Sequence, residues 1–393
     1  MKALVVAEFY PSERDPVLGV WAHEQAVAAR DAGAEVEVVV LHRLVPPRAS
    51  LRDRSALHEL GRRLREPRTQ HRDGLRVTYV PFVSPPRARA YARWGAWAAP
   101  PLAAALRRIR RRFPFDVVHA HNSVPAGHAV LRARTRAPLV LSVHGPDVLF
   151  VPQQVPGGDV AVRHALSGAR IVLANSEGIA NLVRRQGVRD VRVVHLGTDL
   201  PGGIEQMSAE TIVTVGHLVA RKRHADVIRA LWLLRERHPE LHYLVIGDGP
   251  ERGNLERLAA DLGVPVRFTG QLEHAQALGL ARRCALFVMP SIDEAFGVAY
   301  VEAMAGGVPA IGARGEPGPE DIGDGLVLVP PGDPERLAAQ IEDLVAEPRY
   351  LQELGAVARA TVAERFTWAR CGTDTVAAYE AALGAEAGDK RAS

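Results

Sequence analysis

The 393-residue chain has only two cysteines, Cys284 and Cys371, too few for a disulfide framework, so a reducing cytoplasm is the expected compartment. No stretch approaches the roughly 18 unbroken apolar residues that a membrane-spanning helix requires. The apolar opening, Met1 to Ala7, stops at Glu8; it is too short for a signal peptide and reads as a first buried strand. Aromatic residues are sparse at 5%. Lysine is nearly absent: of 49 basic residues only Lys2, Lys222 and Lys390 are lysine, and two of these sit at the termini. The lone interior lysine is therefore a candidate for a role that a compact ammonium fills better than a guanidinium.

What is there is charge asymmetry and a repeating pattern. Residues 1–200 hold 30 basic against 17 acidic side chains, and the remainder 19 against 28, so the first half is expected to face something anionic. Short β-branched runs alternate with helical stretches, the pattern of βα units around parallel sheets. One series of strands is expected at 3–7, 36–41, 76–80, 117–119, 139–143, 171–174 and 191–195. A second follows at 211–215, 242–246, 266–269, 286–289, 309–311 and 326–329. Leu200-Pro201-Gly202-Gly203 between them reads as a hinge. Two doubly wound α/β domains with a cleft between them follow. Their expected bounds are 1–200 and 201–370, with a C-terminal helix and tail over 371–393 that packs back on the first. Residues 42–72, arginine-rich and without periodicity, read as a loosely helical insertion. The stretch from Pro334 to Leu383 reads as helical, and the last residues as frayed.

The most informative string is Asp293-Glu294-Ala295-Phe296-Gly297-Val298-Ala299-Tyr300-Val301-Glu302, after the strand 286–289. A helix is expected to start near Phe296 or Gly297. Glycine allows close backbone approach to a ligand, and a helix N-terminus offers N–H groups to a phosphate. A carboxylate before such a helix can accept from sugar hydroxyls, and one a turn inside it from both hydroxyls of a ribose. Two solvated glutamates on a surface helix are the plain alternative.

This string resembles the Glu-x7-Glu signature of the retaining family 4 glycosyltransferases (glycosyl transferases group 1), which have the GT-B fold: two Rossmann-like domains with parallel sheets facing across a cleft. The resemblance implies that Glu294 touches donor-sugar hydroxyls, that Glu302 binds the nucleotide ribose, and that amides around Phe296, Gly297 and Val298 line the diphosphate. A second string, Gly216-His217-Leu218-Val219-Ala220-Arg221-Lys222-Arg223, resembles the family's Gly-Arg-Leu…Lys-Gly loop. Lys222 falls on the lysine that neutralises the donor diphosphate. His217 stands where the family has arginine and Arg223 where it has the closing glycine, so Arg221 or Arg223 is expected to supply the missing contact. Gly247-Asp248-Gly249-Pro250 resembles a turn beside the nucleotide base; alone it is weak, since Arg252 replaces the third glycine of a dinucleotide fingerprint. Gly315 to Asp321 and Val329 to Glu335 resemble the family's closing segments.

In the first half, the loop from Glu8 to Gly19 resembles the glycine loop that faces the donor diphosphate, with Gly19 alone where relatives carry two glycines. Ser142-Val143-His144-Gly145-Pro146-Asp147 resembles the family's His-Gly-x-Asp segment, which places His144 near the reacting anomeric carbon; a capping histidine is its bland alternative. His119 and His121 point to one side of a strand, as zinc ligands do, but no third or fourth ligand is evident and relatives show a similar string without metal. The chain also lacks any Asp-x-Asp, the pair by which many other glycosyltransferases hold a divalent cation. No metal and no other cofactor is therefore expected, and the diphosphate charge falls to Lys222, arginine and helix N-termini.

The resemblance implies a retaining hexosyltransferase moving sugar from a nucleotide-diphosphate donor to a glycan, lipid-linked or small-molecule acceptor. The catalytic residues it names are His144, Lys222 and Glu294. It implies cell-envelope or polysaccharide biosynthesis. The alternatives are a nucleotide-sugar epimerase on the same fold and a non-catalytic sugar-nucleotide-binding relative. The basic segment 87–113, with Tyr91, Trp94, Trp97 and the arginines of 107–112, reads either as a solvated face or as a peripheral contact with the inner face of the membrane. No recognition motif supports a nucleic-acid partner.

Overall fold

The computed structural model describes residues 1–12, 15, 17–44, 68–204, 208 and 210–389. The chain divides into two compact units. The first comprises Met1–Asn175, Ile179–Val194 and the residues from Cys371 on; the second comprises Ser176–Gly178 and His195–Arg370.

Among the described residues the first unit has eight strands: β1 (Lys2–Ala7), β2 (Glu35–Arg43), β3 (Thr69–Arg72), β4 (Leu75–Phe82), β5 (Val117–His121), β6 (Leu139–Val143), β7 (Ile171–Ala174) and β8 (Val191–Val193). They lie in the order β3-β4-β2-β1-β5-β6-β7-β8. All neighbours are parallel except β3, which runs antiparallel to β4. Helices on both faces require near-continuous apolar strands; Leu4, Val5 and Val6 of β1 and Val140 and Leu141 of β6 are fully buried. Each such side chain contributes roughly 1.5–3 kcal/mol of burial free energy.

Most of the insertion expected over 42–72 lies outside the described residues, as do residues 390–393; of the tail expected to fray after Leu383, residues 384–389 instead continue the last helix, a correction to the sequence reading. The flanks of that insertion are strand, a correction to the sequence reading. Asp73 and Gly74 close the β3–β4 hairpin with φ of 47° and 78°; two successive positive φ values match the twist of antiparallel strands, which is why Asp-Gly favours such turns.

Among its described residues the second unit has six parallel strands: β9 (Thr211–Val215), β10 (His242–Ile246), β11 (Val266–Gly270), β12 (Leu286–Met289), β13 (Ala310–Ala313) and β14 (Leu326–Val329). Their order is β11-β10-β9-β12-β13-β14. Helices 224–234, 252–262 and 334–345 pack Val227, Leu231, Leu255, Leu337 and Ile341 into one apolar cluster with Ile212, Tyr243, Val245 and Val288 of the sheet. Every strand expected from the sequence is present, with ends shifted by no more than two residues.

Both sheets have a point where the order reverses: β1 against β5 in the first, β9 against β12 in the second. Connections leave these neighbouring strands in opposite directions, and in open α/β sheets the crevice left at their C-terminal ends is where ligands bind.

The last helix, Trp368–Asp389, completes the first unit from Cys371 on. Gln25 Nε2 donates to Thr375 Oγ1 at 2.9 Å, and the Tyr379 hydroxyl lies 2.7 Å from His119 Nδ1. Gly372 lies so close to Ala28 that a Cβ there would stand 2.2 Å from its carbonyl oxygen.

Candidate active site

In the second unit the loops after β9 and β12 carry the residues singled out above. Lys222 Nζ donates to Glu294 Oε2 at 2.5 Å, with the two side chains 11% and 9% exposed. Ser291 Oγ donates to the same oxygen at 2.9 Å, and Arg221 Nη1 lies 3.8 Å from it. Burial pushes the Glu294 carboxyl up, but Lys222, Arg221 and Ser291 outweigh it and hold the group below its ordinary value. The backbone of Glu294 is fixed as well: its N–H donates to Glu316 Oε2 and its carbonyl accepts from Gly318 N–H, both at 2.9 Å. Ile292 N–H donates to the Arg221 carbonyl, tying the two loops together at the switch point.

The helix expected near Phe296 begins at Val298, and Gly297 precedes it at φ 82°. A side chain there would be strained, and its Cβ would stand 2.5 Å from the Tyr300 ring. Phe296 is 2% exposed and packs against His195 and Phe366 with ring centroids 5.8 and 5.6 Å apart, so its part in any ligand contact is confined to its backbone. Glu302, inside the helix Val298–Ala305, lies 3.4 Å from His274 Nε2. Burial pushes its carboxyl up, against the pull of His274 and Arg282, so the two glutamates are biased in opposite directions. A Cβ at Gly216 would stand in ordinary van der Waals contact with Lys222 Cε and Met289 Sδ, at 3.8 and 3.9 Å. His217 is exposed. Arg223 adopts φ 58°, a left-handed conformation natural to the glycine that relatives carry there, and its Nε donates to Asp226 at 2.6 Å.

In the first unit His144 follows β6. Its Nε2 lies 3.0 Å from His121 Nδ1, the two rings stacked at 5.2 Å. Burial holds His144 down at about 4 and His121 well below its ordinary value, so both are neutral. His119, at about 3 through burial, has its ring nitrogens against Tyr379 and Ser142. The pattern is a hydrogen-bonded histidine cluster, and among the described residues no three His, Cys, Asp or Glu side chains converge as metal ligands do. Asp147, 2% exposed, accepts from His144 N–H and Asn122 Nδ2 at 3.0 Å and from Ser123 N–H and Oγ at 2.6 Å. Gly19, at φ 75°, packs on the backbone of Phe9 and caps the helix Val20–Asp31.

Two family models match these two halves: Glycosyltransferase Family 4 over residues 18–201 and Glycosyl transferases group 1 over residues 203–361. The chain is a group 1 glycosyltransferase of the GT-B fold. It is 28% identical to the putative teichuronic acid biosynthesis glycosyltransferase TuaC of Bacillus subtilis, over 79% of this chain and 80% of that one. Among solved structures it resembles the sucrose-phosphate synthase of Thermosynechococcus elongatus, with a TM-score of 0.74, 19% identity and coverage of 98% and 100%. It also resembles Anabaena HepE in complex with UDP, with a TM-score of 0.68, 19% identity and coverage of 97% and 100%.

The fold of this glycosyltransferase brings together three side chains to which the sequence assigned no common site. Glu8, directly after β1, has a side chain 10% exposed. Tyr91 donates to Glu8 Oε2 at 3.0 Å or to the Val124 carbonyl at 2.9 Å, and Arg87 Nη1 lies 3.6 Å from Glu8 Oε1. Burial, with a smaller push from Asp147, raises the Glu8 carboxyl to about 7 against the pull of Arg87 and Tyr91. A carboxyl raised on folding costs no stability below its unfolded value and progressively more as pH climbs to its folded one. From 4.5 to about 7 the cost is on the order of 3 kcal/mol. Glu8→Gln is therefore expected to gain melting temperature relative to wild type as pH is raised from about 4.5 to about 8. Parallel melting curves across that range would show that the folded state ionises Glu8 freely.

Proposed function

We propose that this glycosyltransferase moves a hexosyl group from a nucleotide-diphosphate sugar to a cell-envelope or polysaccharide acceptor, with retention at the anomeric carbon and without a metal. The observation that carries the reading is the buried Lys222–Glu294 pair at the β9/β12 switch point. An ammonium and an ionised carboxylate side by side offer one group to a diphosphate and one to sugar hydroxyls. Lys222 and Arg221 would compensate the diphosphate, joined by the amides of Phe296, Gly297 and Val298 and by Gly19. Glu294 would hold the sugar and Glu302 the ribose, whose hydroxyls donate whichever way its carboxyl titrates. The neutral His144 would border the anomeric carbon. Catalysis would then be stabilisation of the departing diphosphate, which takes the acceptor's proton, together with positioning. The UDP complex of HepE and the teichuronic acid assignment of TuaC support the donor and acceptor classes.

The proposal includes a peripheral contact with an anionic membrane face on the inner, cytoplasmic side. The helix Trp94–Arg112 ends in Arg110, Arg111 and Arg112, which also suit its C-terminal dipole. Of the four aromatics in this segment Tyr91 and Trp94 are 4% and Phe113 8% exposed and belong to the core, which leaves Trp97, 51% exposed, as the anchor.

A metal-free thermal-shift series with UDP, GDP and ADP tests the donor site. Nucleotide at about 100 times its dissociation constant stabilises a fold by about 2.7 kcal/mol. One of the three is expected to raise the melting temperature, and Lys222→Ala to remove the shift. If none does so, with or without magnesium, the transferase reading loses its donor site.

A further inference from the structure

The first unit has a switch point of its own, and its lining is unlike that of the second. Glu8 follows β1, Val124 follows β5, and the Tyr91 hydroxyl bridges the two. Arg87 lies over this bridge, its guanidinium 4.0 Å from the Tyr91 ring centroid, 5.4 Å from that of Phe9 and 5.8 Å from that of Trp94, with half of its side chain exposed. The neighbouring Arg43 is engaged differently, donating to Ser84 Oγ, Ser84 O and Pro85 O and lying 4.7 Å from the Trp94 ring.

Proton bookkeeping shows that Arg87 is only partly compensated. Tyr91 has a single hydroxyl proton and two acceptors within reach. The Val124 carbonyl can only accept; when it takes that proton, the Tyr91 oxygen is free to accept from a protonated Glu8. Arg87 and Tyr91 favour the ionised acid while burial and Asp147 oppose it, so Glu8 is close to half protonated near pH 7. A half-neutral acid 3.6 Å away leaves net positive charge on a guanidinium held in place by three rings. A fixed, partly exposed arginine beside a carboxylic acid matches an anion that accepts from both.

We propose that the β1/β5 switch point, through Arg87 and Glu8, binds an anionic group of the acceptor, a phosphate or a carboxylate. This rests on the transferase reading of the preceding subsection and narrows its acceptor class. The bound anion takes two N–H bonds from Arg87 and one O–H bond from Glu8. It raises the affinity of Glu8 for its proton, so binding near pH 7 takes up a fraction of a proton. The groups that set this uptake are Arg87, Tyr91, Asp147 and Arg43, which surround Glu8.

The test is calorimetric titration of the full chain with two anions, glycerol 3-phosphate and glucuronate, and their neutral counterparts, glycerol and glucose. Titrations in buffers of different ionisation enthalpy read the proton count. The expected result is that at least one anion binds at least tenfold more tightly than its neutral counterpart, with proton uptake near pH 7. Which anion does so identifies the source of the charge. Arg87→Gln is expected to weaken that binding at least tenfold. Glu8→Gln, an uncharged donor, is expected to retain binding and lose the uptake. Anions that bind no better than their neutral counterparts, or as tightly to Arg87→Gln as to wild type, would overturn the proposal. Stabilisation by UDP, GDP and ADP is measured on the same proteins. Its loss in Arg87→Gln alone would mean the variant has damaged the fold; Arg87→Lys, which keeps the charge and loses the fork, then carries the test and must fall between wild type and no binding. Absence of stabilisation by all three nucleotides in wild type strikes at the donor reading instead, separately from the anion result.

Discussion

Glu294→Gln is expected to lower kcat/KM by about 100-fold or more while the protein remains folded. The carboxylate is the common acceptor for Lys222, Ser291 and, at longer range, Arg221. Glutamine keeps the size and one acceptor oxygen but removes the charge that holds the ammonium. A hydrogen bond to a charged group contributes about 1.5–3 kcal/mol, and about 1.4 kcal/mol is a factor of ten in rate. Losing the acceptor proposed for a sugar hydroxyl together with the alignment of Lys222 exceeds one such bond. Removing one partner of a buried pair also costs stability, roughly 3–5 kcal/mol where solvent is excluded, and the two side chains are about one-tenth exposed. The kinetic split is informative. An effect on kcat with KM little changed assigns Glu294 to the transition state, whereas an effect on KM alone assigns it to donor binding. A variant with wild-type kcat/KM would remove Glu294 from the reaction.

The second large effect is expected at Asp147→Ala. Four donors converge on this carboxylate: the His144 and Ser123 amides, Asn122 Nδ2 and Ser123 Oγ. Alanine leaves them without an acceptor in a place that is 2% exposed. Each buried donor so orphaned costs about 1–3 kcal/mol, part of which relaxation or entering water recovers. A net loss of roughly 3–5 kcal/mol, at about 2–4 °C per kcal/mol for a unit of this size, lowers the melting temperature by roughly 10 °C. Activity is expected to fall too, since the same bonds fix Asn122 at its positive φ and hold the backbone of His144. Asp147→Asn, which keeps an acceptor oxygen, is expected to lie between. A melting temperature for Asp147→Ala within a degree or two of wild type would mean that Asp147 does not organise this corner.

The cluster proposed to hold the donor was legible because its residues are near neighbours in sequence. Gly216 to Lys222 and Ser291 to Glu302 are two continuous strings, each after a strand of strong apolar pattern, and strand ends are where open sheets place ligands. The bond from Lys222 to Glu294 spans 72 positions and was not itself foreseen, although both strings were read as parts of one donor site. Glu8, Arg87 and Tyr91 were not legible: each is unremarkable alone, and only the fold brings residues 79 to 83 positions apart onto one another. The same holds for Tyr91 and Trp94, read as part of a surface stripe and found buried at 4% exposure. Periodicity could not separate these outcomes, because the helix Trp94–Arg112 runs through Pro100 and Pro101, residues that ordinarily argue against a helix. Strand β3 was missed for a different reason. Its four residues, Thr69 to Arg72, are polar and at most half-buried, and their one clear signal is the Asp73-Gly74 turn after them.

The discontinuity of the first unit bears on how the protein is made. Residues 195–370 are contiguous apart from the short piece 176–178, so the second unit is in hand before the last segment is translated. The first unit is not: Tyr379, Thr375 and Gly372 close against His119, Gln25 and Ala28, which emerged from the ribosome more than 250 residues earlier. Synthesised vectorially, the amino-terminal sheet waits with one helix missing while the second unit folds behind it. A fragment cut at residue 194 lacks that helix permanently, and any attempt to express the first unit alone must supply residues from Cys371 on, in cis through a linker or in trans as a peptide.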